Sequence, residues 1–387
     1  MSSRRTINLI FGTYLVAIVI SALILMLPIC SKSPLGFVDA VFTTSSAISC
    51  TGLIVKSTGN DFTFFGQFFI LLIIQLGGFG YMSLAILLSI ALGKKLSYQD
   101  RQILKESYEH PTMEGVVRFF KRVFRYILIV ELIGAIILSI RFAFDFPIGE
   151  AIWQGIFHSI SAFNNAGFSL FDSSIINYKG DFVINFMICF LIVLGGLGYL
   201  VVLEILMFRQ KLFPKLSDHT KIILFSTALL IIAGSLMVYS LEYYNPKSLG
   251  NLSLYEQIMV SIFTSINFRT SGFNSIDLSG LSDSTLFFST PIMLVGGAPG
   301  STAGGIKITT FVVLLVTAWY FLKGEPRPIL NKRAIPIEII FKALAIAMAT
   351  VFFVLLVTVV IMEIEQKNFA RTFFEIISAF ATVGIST

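Results

Sequence analysis

The sequence predicts an all-α integral membrane protein: four parallel span–pore-helix–span repeats around one central pore, the last repeat lacking its second span. Three observations predict it. Apolar residues fill 56% of the 387 positions and charged residues only 13%, about half the charged share of a soluble globular chain. Apolar stretches long enough to cross a bilayer are interleaved with apolar stretches too short to do so. Each short stretch ends in a turn with a single glycine.

A helix crosses the roughly 30 Å hydrocarbon layer with about 20 apolar residues. The stretches 7–27, 64–92, 124–144, 182–208, 222–242 and 339–363 reach that length. A seventh, 284–323, is interrupted by glycine and proline at 296–305. The first is read as a span: its apolar run is too long for a cleaved signal peptide, and no small-residue cleavage site follows it. The short stretches are 37–50, 152–164, 254–268 and 369–381. Short apolar helices between full spans predict re-entrant segments, which are tolerated at membrane depth only when buried in protein or lining water.

Lys and Arg concentrate at alternate ends of these spans. The N-terminus, 93–125, 209–221 and 323–342 hold most of them, including Arg4, Arg5, Arg118, Lys121, Arg209, Lys323 and Lys342. The basic side is the cytoplasmic one, so the N-terminus is expected in the cytoplasm of a multi-pass plasma-membrane protein. The net charge of +6 thereby reports topology, and no nucleic-acid surface is expected. Cys30, Cys50 and Cys189 are far apart, as are His110, His158 and His219. No disulfide framework, zinc site or bound cofactor is readable. No catalytic pair stands at helical spacing, which argues against an enzyme.

The four turns read Cys50-Thr51-Gly52, Asn165-Ala166-Gly167, Thr270-Ser271-Gly272 and Thr382-Val383-Gly384, each followed by a large apolar residue. Their glycines are spaced by 115, 105 and 112 residues. A serine stands six residues before three of them (Ser46, Ser161, Ser378); in the third, Ser265 is displaced by one. A Gly-Gly pair follows each of the first three turns: Gly77-Gly78, Gly195-Gly196 and Gly296-Gly297. The expected repeat boundaries are 1–95, 96–215, 216–332 with the broken span, and 333–387, incomplete. All four start from the same side, so they are parallel and related by an axis along the membrane normal.

A filter that strips water from a cation must offer oxygens at the right distance, and backbone carbonyls serve if the chain can aim them inward. Glycine permits the required backbone angles. Thr382-Val383-Gly384 repeats the start of the potassium-channel filter sequence. The residues before the glycines are compact and uncharged, and no turn carries an acidic ring. Short helices ending at the turns each direct about half a negative charge at one cavity. One such glycine is equally well a packing device; four in matching frames point to a filter.

Three segments carry a family resemblance: Phe163–Phe168, Asn267–Phe273 and Gly296–Lys307. On these, and over essentially the whole chain, the sequence resembles the KtrB family, the membrane subunits of Ktr-type potassium uptake systems in the Trk/Ktr/HKT superfamily. The resemblance implies potassium as substrate at the filter, uptake that is often sodium-dependent, and a homodimer with one pore per subunit. It also implies a cytoplasmic ring of nucleotide-binding regulatory subunits of the KtrA type. The broken third-repeat span is then the gating loop: Gly296, Gly297, Pro299, Gly300, Ser301, Thr302, Gly304, Gly305 and Lys307.

The loop also has its own reading. Five glycines and Pro299 within 296–305 disfavour a straight helix. Unwound backbone at membrane depth should face water or protein, which a movable plug beneath a filter satisfies; a rigid kink is the other reading. Gly300 and Gly305 match the glycine spacing of a phosphate loop, but Ile306 stands where its lysine belongs. Lys307 either braces the loop, senses ions or snorkels to the cytoplasm. Arg269 either tunes cation access electrostatically or pairs with a carboxylate. Glu131 and Glu204 lie within spans, where ionisable groups are functional or find an interhelical partner. His158 is read as a packing residue.

The chain stops at Thr387, three residues after Gly384. Seven spans are therefore expected where the resembled family has eight, which leaves transport by the chain alone in question. The competing function is a sodium- or proton-coupled secondary transporter. Such proteins use discontinuous helices around a midplane site, and the sequence predicts only one broken span.

Overall fold

Long helices here are apolar all round, so their burial is set by neighbours and lipid rather than by one hydrophobic stripe. The computed structural model describes residues 3–79, 116–209, 215–325, 327–331 and 333–387. The second half of the expected span 64–92, including Gly80, and the basic stretch 93–115 lie outside the described residues. Two compact units divide the chain at Ile192 and Val193.

The first unit holds α1 (Ser3–Leu25), α2 (Phe37–Ile48), α3 (Phe64–Phe79), α4 (Val116–Phe142), α5 (Ile148–Phe163) and most of α6 (Phe182–Gly196). α2 packs on α1 and α3, and α5 packs along α4 and touches α3. Small residues permit the close α4–α5 approach. A side chain on Gly155 would run into Ser139, and one on Gly134 into Ser159. Such small-residue contacts replace the hydrophobic drive that lipid removes.

The second unit holds the end of α6, then α7 (Tyr199–Arg209), α8 (Asp218–Glu242), α9 (Leu254–Asn267), α10 (Asp283–Leu294), α11 (Ile308–Leu322), a short hairpin of β1 (Ile329–Leu330) and β2 (Arg333–Ala334), α12 (Ile337–Glu365) and α13 (Phe369–Phe380). α8 packs on α9, α10 and α11, and α13 packs on α10 and α12. Serine caps start three of these helices: Ser217 accepts from Thr220 N, Ser253 from Glu256 N, and Ser282 from Thr285 N. Each cap contributes about 1 kcal/mol.

α4, α8 and α12 are long and apolar enough to cross a membrane, as are α6 and α7 taken together. On α12 only a narrow stripe is buried, Thr350, Val354 and Thr358 among it. Met348, Phe352 and Val359 are exposed by 65% or more, the surface of a helix meant for lipid rather than water.

The structure corrects one expectation. The stretch 182–208, expected as one continuous span, breaks at Leu197-Gly198, and α7 leaves α6 at 101°. Gly198 takes φ +86°, which an ordinary residue resists. The other break falls where the sequence predicts it, between α10 and α11.

Candidate cation-conduction site

The short helices α2, α5 and α13 end in the same way. Thr51 N–H donates to Ser46 O at 2.9 Å, Ala166 N–H to Ser161 O at 2.8 Å, and Val383 N–H to Ser378 O at 2.8 Å. One residue earlier, Cys50, Asn165 and Thr382 donate to Ala47 O, Ala162 O and Ala379 O at 3.1 to 3.3 Å. This is the Schellman ending, which requires a left-handed residue just past the helix. That residue is Cys50, Asn165 or Thr382, with φ 51°, 54° and 55°. None is glycine; the left-handed conformation costs about 1–2 kcal/mol at Cys50 and Thr382, and less at Asn165, because asparagine visits it more readily.

The glycine two places on is also left-handed: φ is 97° at Gly52, 69° at Gly167, 75° at Gly272 and 82° at Gly384. Between the two stands a residue outside the positive-φ region (Thr51, Ala166, Ser271, Val383). Alternating hand along three residues turns successive peptide planes, so that their carbonyls can face one side.

The serine six places before the glycine staples the outgoing chain. Ser46 Oγ accepts from Gly52 N–H at 3.1 Å. Ser161 Oγ donates to Phe168 O at 2.7 Å. Ser378 Oγ donates to Ile385 O at 2.6 Å and accepts from its N–H at 3.0 Å.

The third turn keeps the backbone and changes the staple. Thr270 is left-handed at φ 68°, but Ser271 N–H donates to Asn267 O at 3.3 Å. Asn267 Oδ1 accepts from Ser271 Oγ at 2.5 Å. Ser265, displaced by one in the sequence, does another job. Its Oγ donates to Ile231 O of α8 at 2.8 Å, as Ser159 Oγ does to Glu131 O of α4 at 2.7 Å.

Within the first unit the first two turns touch. A Cβ on Gly52 would stand 2.7 Å from Ala166 O and 3.1 Å from Gly167 Cα. Gly77 and Gly78 of α3 make room for the ends of both short helices: a side chain there would strike Ile48 O and Asn164 Oδ1.

Within the second unit the interrupted segment 295–307 lies against both turns. Arg269 Nη2 donates to Gly296 O at 3.2 Å. A Cβ on Gly304 would strike Thr382 Oγ1 and stand 2.9 Å from Ala381 O. The segment is tied at its base by Gly296 N–H to Ile306 O at 3.0 Å and Ile306 N–H to Leu294 O at 2.9 Å. Its tip seats in the other break. Ala298 N–H donates to Gly196 O at 2.9 Å, Thr302 N–H to Gly195 O at 3.3 Å, and Tyr199 N–H to Gly300 O at 2.9 Å. The Gly195–Gly198 stretch is thus a dock for 298–302, a role that sequence reasoning missed. Three glycines in four residues of an otherwise apolar span are the signal that could have found it.

The remaining singled-out residues have structural partners. Lys307 Nζ donates to Ala303 O at 2.8 Å and braces the segment. Arg269 is 7% exposed, and its guanidinium donates to a carbonyl rather than to a carboxylate. Glu204 accepts from Ser217 Oγ at 2.7 Å and from Thr220 Oγ1, so it steadies the start of α8. His158 is buried, bonded to Gln154 O at 2.8 Å and Ser169 Oγ at 2.9 Å, and stacked on Phe171. Among the described residues, no group of His, Cys, Asp or Glu could hold a metal ion.

Spanning helices, short helices ending in left-handed turns, and interrupted helices define a multi-pass helical membrane protein. Comparison with known proteins defines it further. A family profile described as TrkH, cation transport protein, matches residues 3–387. The chain is 40% identical over 373 residues to Ktr system potassium uptake protein B of Bacillus subtilis (strain 168), covering 96% of this chain and 83% of that protein. It is 36% identical over 379 residues to the protein of the same name from Vibrio alginolyticus, covering 98% and 83%. It is 33% identical over 391 residues to Potassium/sodium uptake protein NtpJ of Enterococcus hirae, covering 98% and 85%. The crystal structure of the potassium transporter TrkH from Vibrio parahaemolyticus matches with a TM-score of 0.74 at 17% identity, over 99% of this chain and 77% of that one; it speaks to fold alone. The chain belongs to the TrkH family of cation transport proteins.

Proposed function

We propose that the chain takes up potassium across the plasma membrane through a filter built from the four turns. The observation that carries this is the shared backbone: a left-handed residue, an ordinary one and a left-handed glycine in every turn. Carbonyls so arranged can replace the water around a cation, and the ends of four helices favour positive charge beside them. The relatives named as potassium uptake proteins support potassium as the ion. The repeats then run over 1–95, 96–215, 216–332 and 333–387, around one pore. Segment 296–305 with Lys307 is the gate. The N-terminus is cytoplasmic, by the charge distribution. The KtrB resemblance supports a homodimer and a nucleotide-binding regulatory ring of the KtrA type. The relative named for both potassium and sodium supports sodium as an activator.

The test is potassium-limited growth of a bacterium stripped of its own uptake systems, followed by potassium and sodium flux in liposomes. Growth rescue with potassium-selective flux is expected. Loss of both, in protein that reaches the membrane, overturns the reading.

A second reading has its own observation. Among the described residues two helices are interrupted, α6–α7 and α10–α11, where the sequence predicts one, and discontinuous helices serve ion-coupled transporters. A fixed sodium-to-potassium or proton-to-potassium ratio in the flux assay would select that reading over the channel-like one.

A further inference from the structure

The second turn is held from behind by a buried cluster that the filter reading does not use. Glu131, on α4, is 4% exposed. Its two carboxylate oxygens accept from Gln75 Nε2 of α3 at 3.0 and 2.9 Å. Oε1 also accepts from Asn164 Nδ2 at 3.0 Å. Asn164 Nδ2 further reaches Gln75 Oε1 at 3.0 Å and Ile160 O at 2.9 Å. The backbone of Glu131 is tied to the same short helix, because Ser159 Oγ donates to its carbonyl. Asn164 is the C-terminal cap of α5. The left-handed Asn165 comes next, then Ala166 and Gly167.

A carboxylate inside a membrane protein is costly and persists only where its hydrogen bonds are satisfied. Here the partners come from two other helices and converge on the residue that launches the turn. Gly78 is part of the same device, since a side chain there would push Asn164 away. A cation site would present oxygens to the ion. This cluster turns amide N–H groups toward the carboxylate, so it is a clamp and not a further binding site.

We propose that Glu131 is a positioning residue that sets the discrimination between potassium and sodium at the second turn, by clamping Asn164. The proposal rests on the filter reading. Two ions of equal charge are told apart by where the carbonyls stand and how firmly they are held. A clamp on the residue ahead of the turn acts on both.

The test uses the full chain in liposomes, with initial potassium and sodium uptake measured under matched gradients. Glu131→Gln keeps the size but sets one amide N–H against the amide N–H groups of its partners. The potassium-to-sodium ratio is expected to fall on the order of tenfold, the equivalent of one buried donor left unpaired. A merely structural role would lower the amount of folded protein and leave the ratio alone. An unchanged ratio in Glu131→Gln, beside a selective wild type, overturns the proposal and leaves the filter reading standing. A wild type that does not prefer potassium overturns the filter reading, and this proposal with it. Should Glu131→Gln fail to insert, Gln75→Met removes one donor without touching α4. In the same assay a lowered ratio in Gln75→Met supports the clamp, and an unchanged ratio overturns it.

Discussion

Ser378 and Ile385, seven residues apart, exchange two hydrogen bonds: Ser378 Oγ donates to Ile385 O at 2.6 Å and accepts from Ile385 N–H at 3.0 Å. The chain leaving Gly384 is thereby stapled to the helix it came from, and both groups are buried. Replacing Ser378 with Ala leaves a buried N–H and a buried carbonyl unpaired, a cost of about 1–3 kcal/mol for such a group. Ser378→Ala should lower the thermal midpoint of the purified protein and reduce potassium-over-sodium discrimination. Paired melting and flux measurements check it. A lower midpoint with intact discrimination would make the staple purely structural.

Gly272 sits at φ 75°, where a side chain is strained by about 1–2 kcal/mol. Gly272→Ser should admit more sodium relative to potassium. Gly12, with nothing within 4 Å of an added Cβ, is the control: Gly12→Ala should leave flux unchanged. Unaltered selectivity in Gly272→Ser would count against a filter at this turn.

Gly198 combines φ +86° with a Cβ position 2.6 Å from Pro299 O. Gly198→Ala should therefore displace segment 298–302 from its dock, and deleting 298–303 should leave the dock empty. Both are expected to raise basal flux in liposomes, the deletion more. If the deletion leaves flux where it was, the segment is a rigid kink.

Arg269 joins the third turn to Gly296 O through one hydrogen bond and is buried. Arg269→Met keeps most of the bulk and removes the tie. Flux in the absence of regulatory partner should rise. The thermal midpoint should move little, since the lost bond is offset by no longer burying a guanidinium. A large fall in midpoint with flux unaltered would assign Arg269 to folding alone.

What can be read along the chain is what local chemistry controls. Span lengths follow from apolar runs, so α4, α8 and α12 lie close to where the stretches 124–144, 222–242 and 339–363 put them. The four glycines announce left-handed backbone, which only a residue without a Cβ takes freely. The displaced serine announces that the third turn is stapled differently, and Asn267 does that work. Other features need the folded chain. Gln75 and Asn164 are 89 residues apart, and Glu131 is 33 from Asn164; nothing in their spacing pairs them. The break at Leu197-Gly198 is of the same kind, because carbonyls freed at Gly195 and Gly196 are satisfied by N–H groups about a hundred residues later. The sequence by itself determined which segments are apolar helices and where a turn glycine frees the backbone to go left-handed, since those depend on local chain chemistry, while the left-handed Cys50, Asn165, Thr270 and Thr382 were legible only in the folded turns. Only the tertiary structure decided which buried polar groups meet, since inside a membrane protein an unpaired group is costly and its partner can come from any helix that packs beside it.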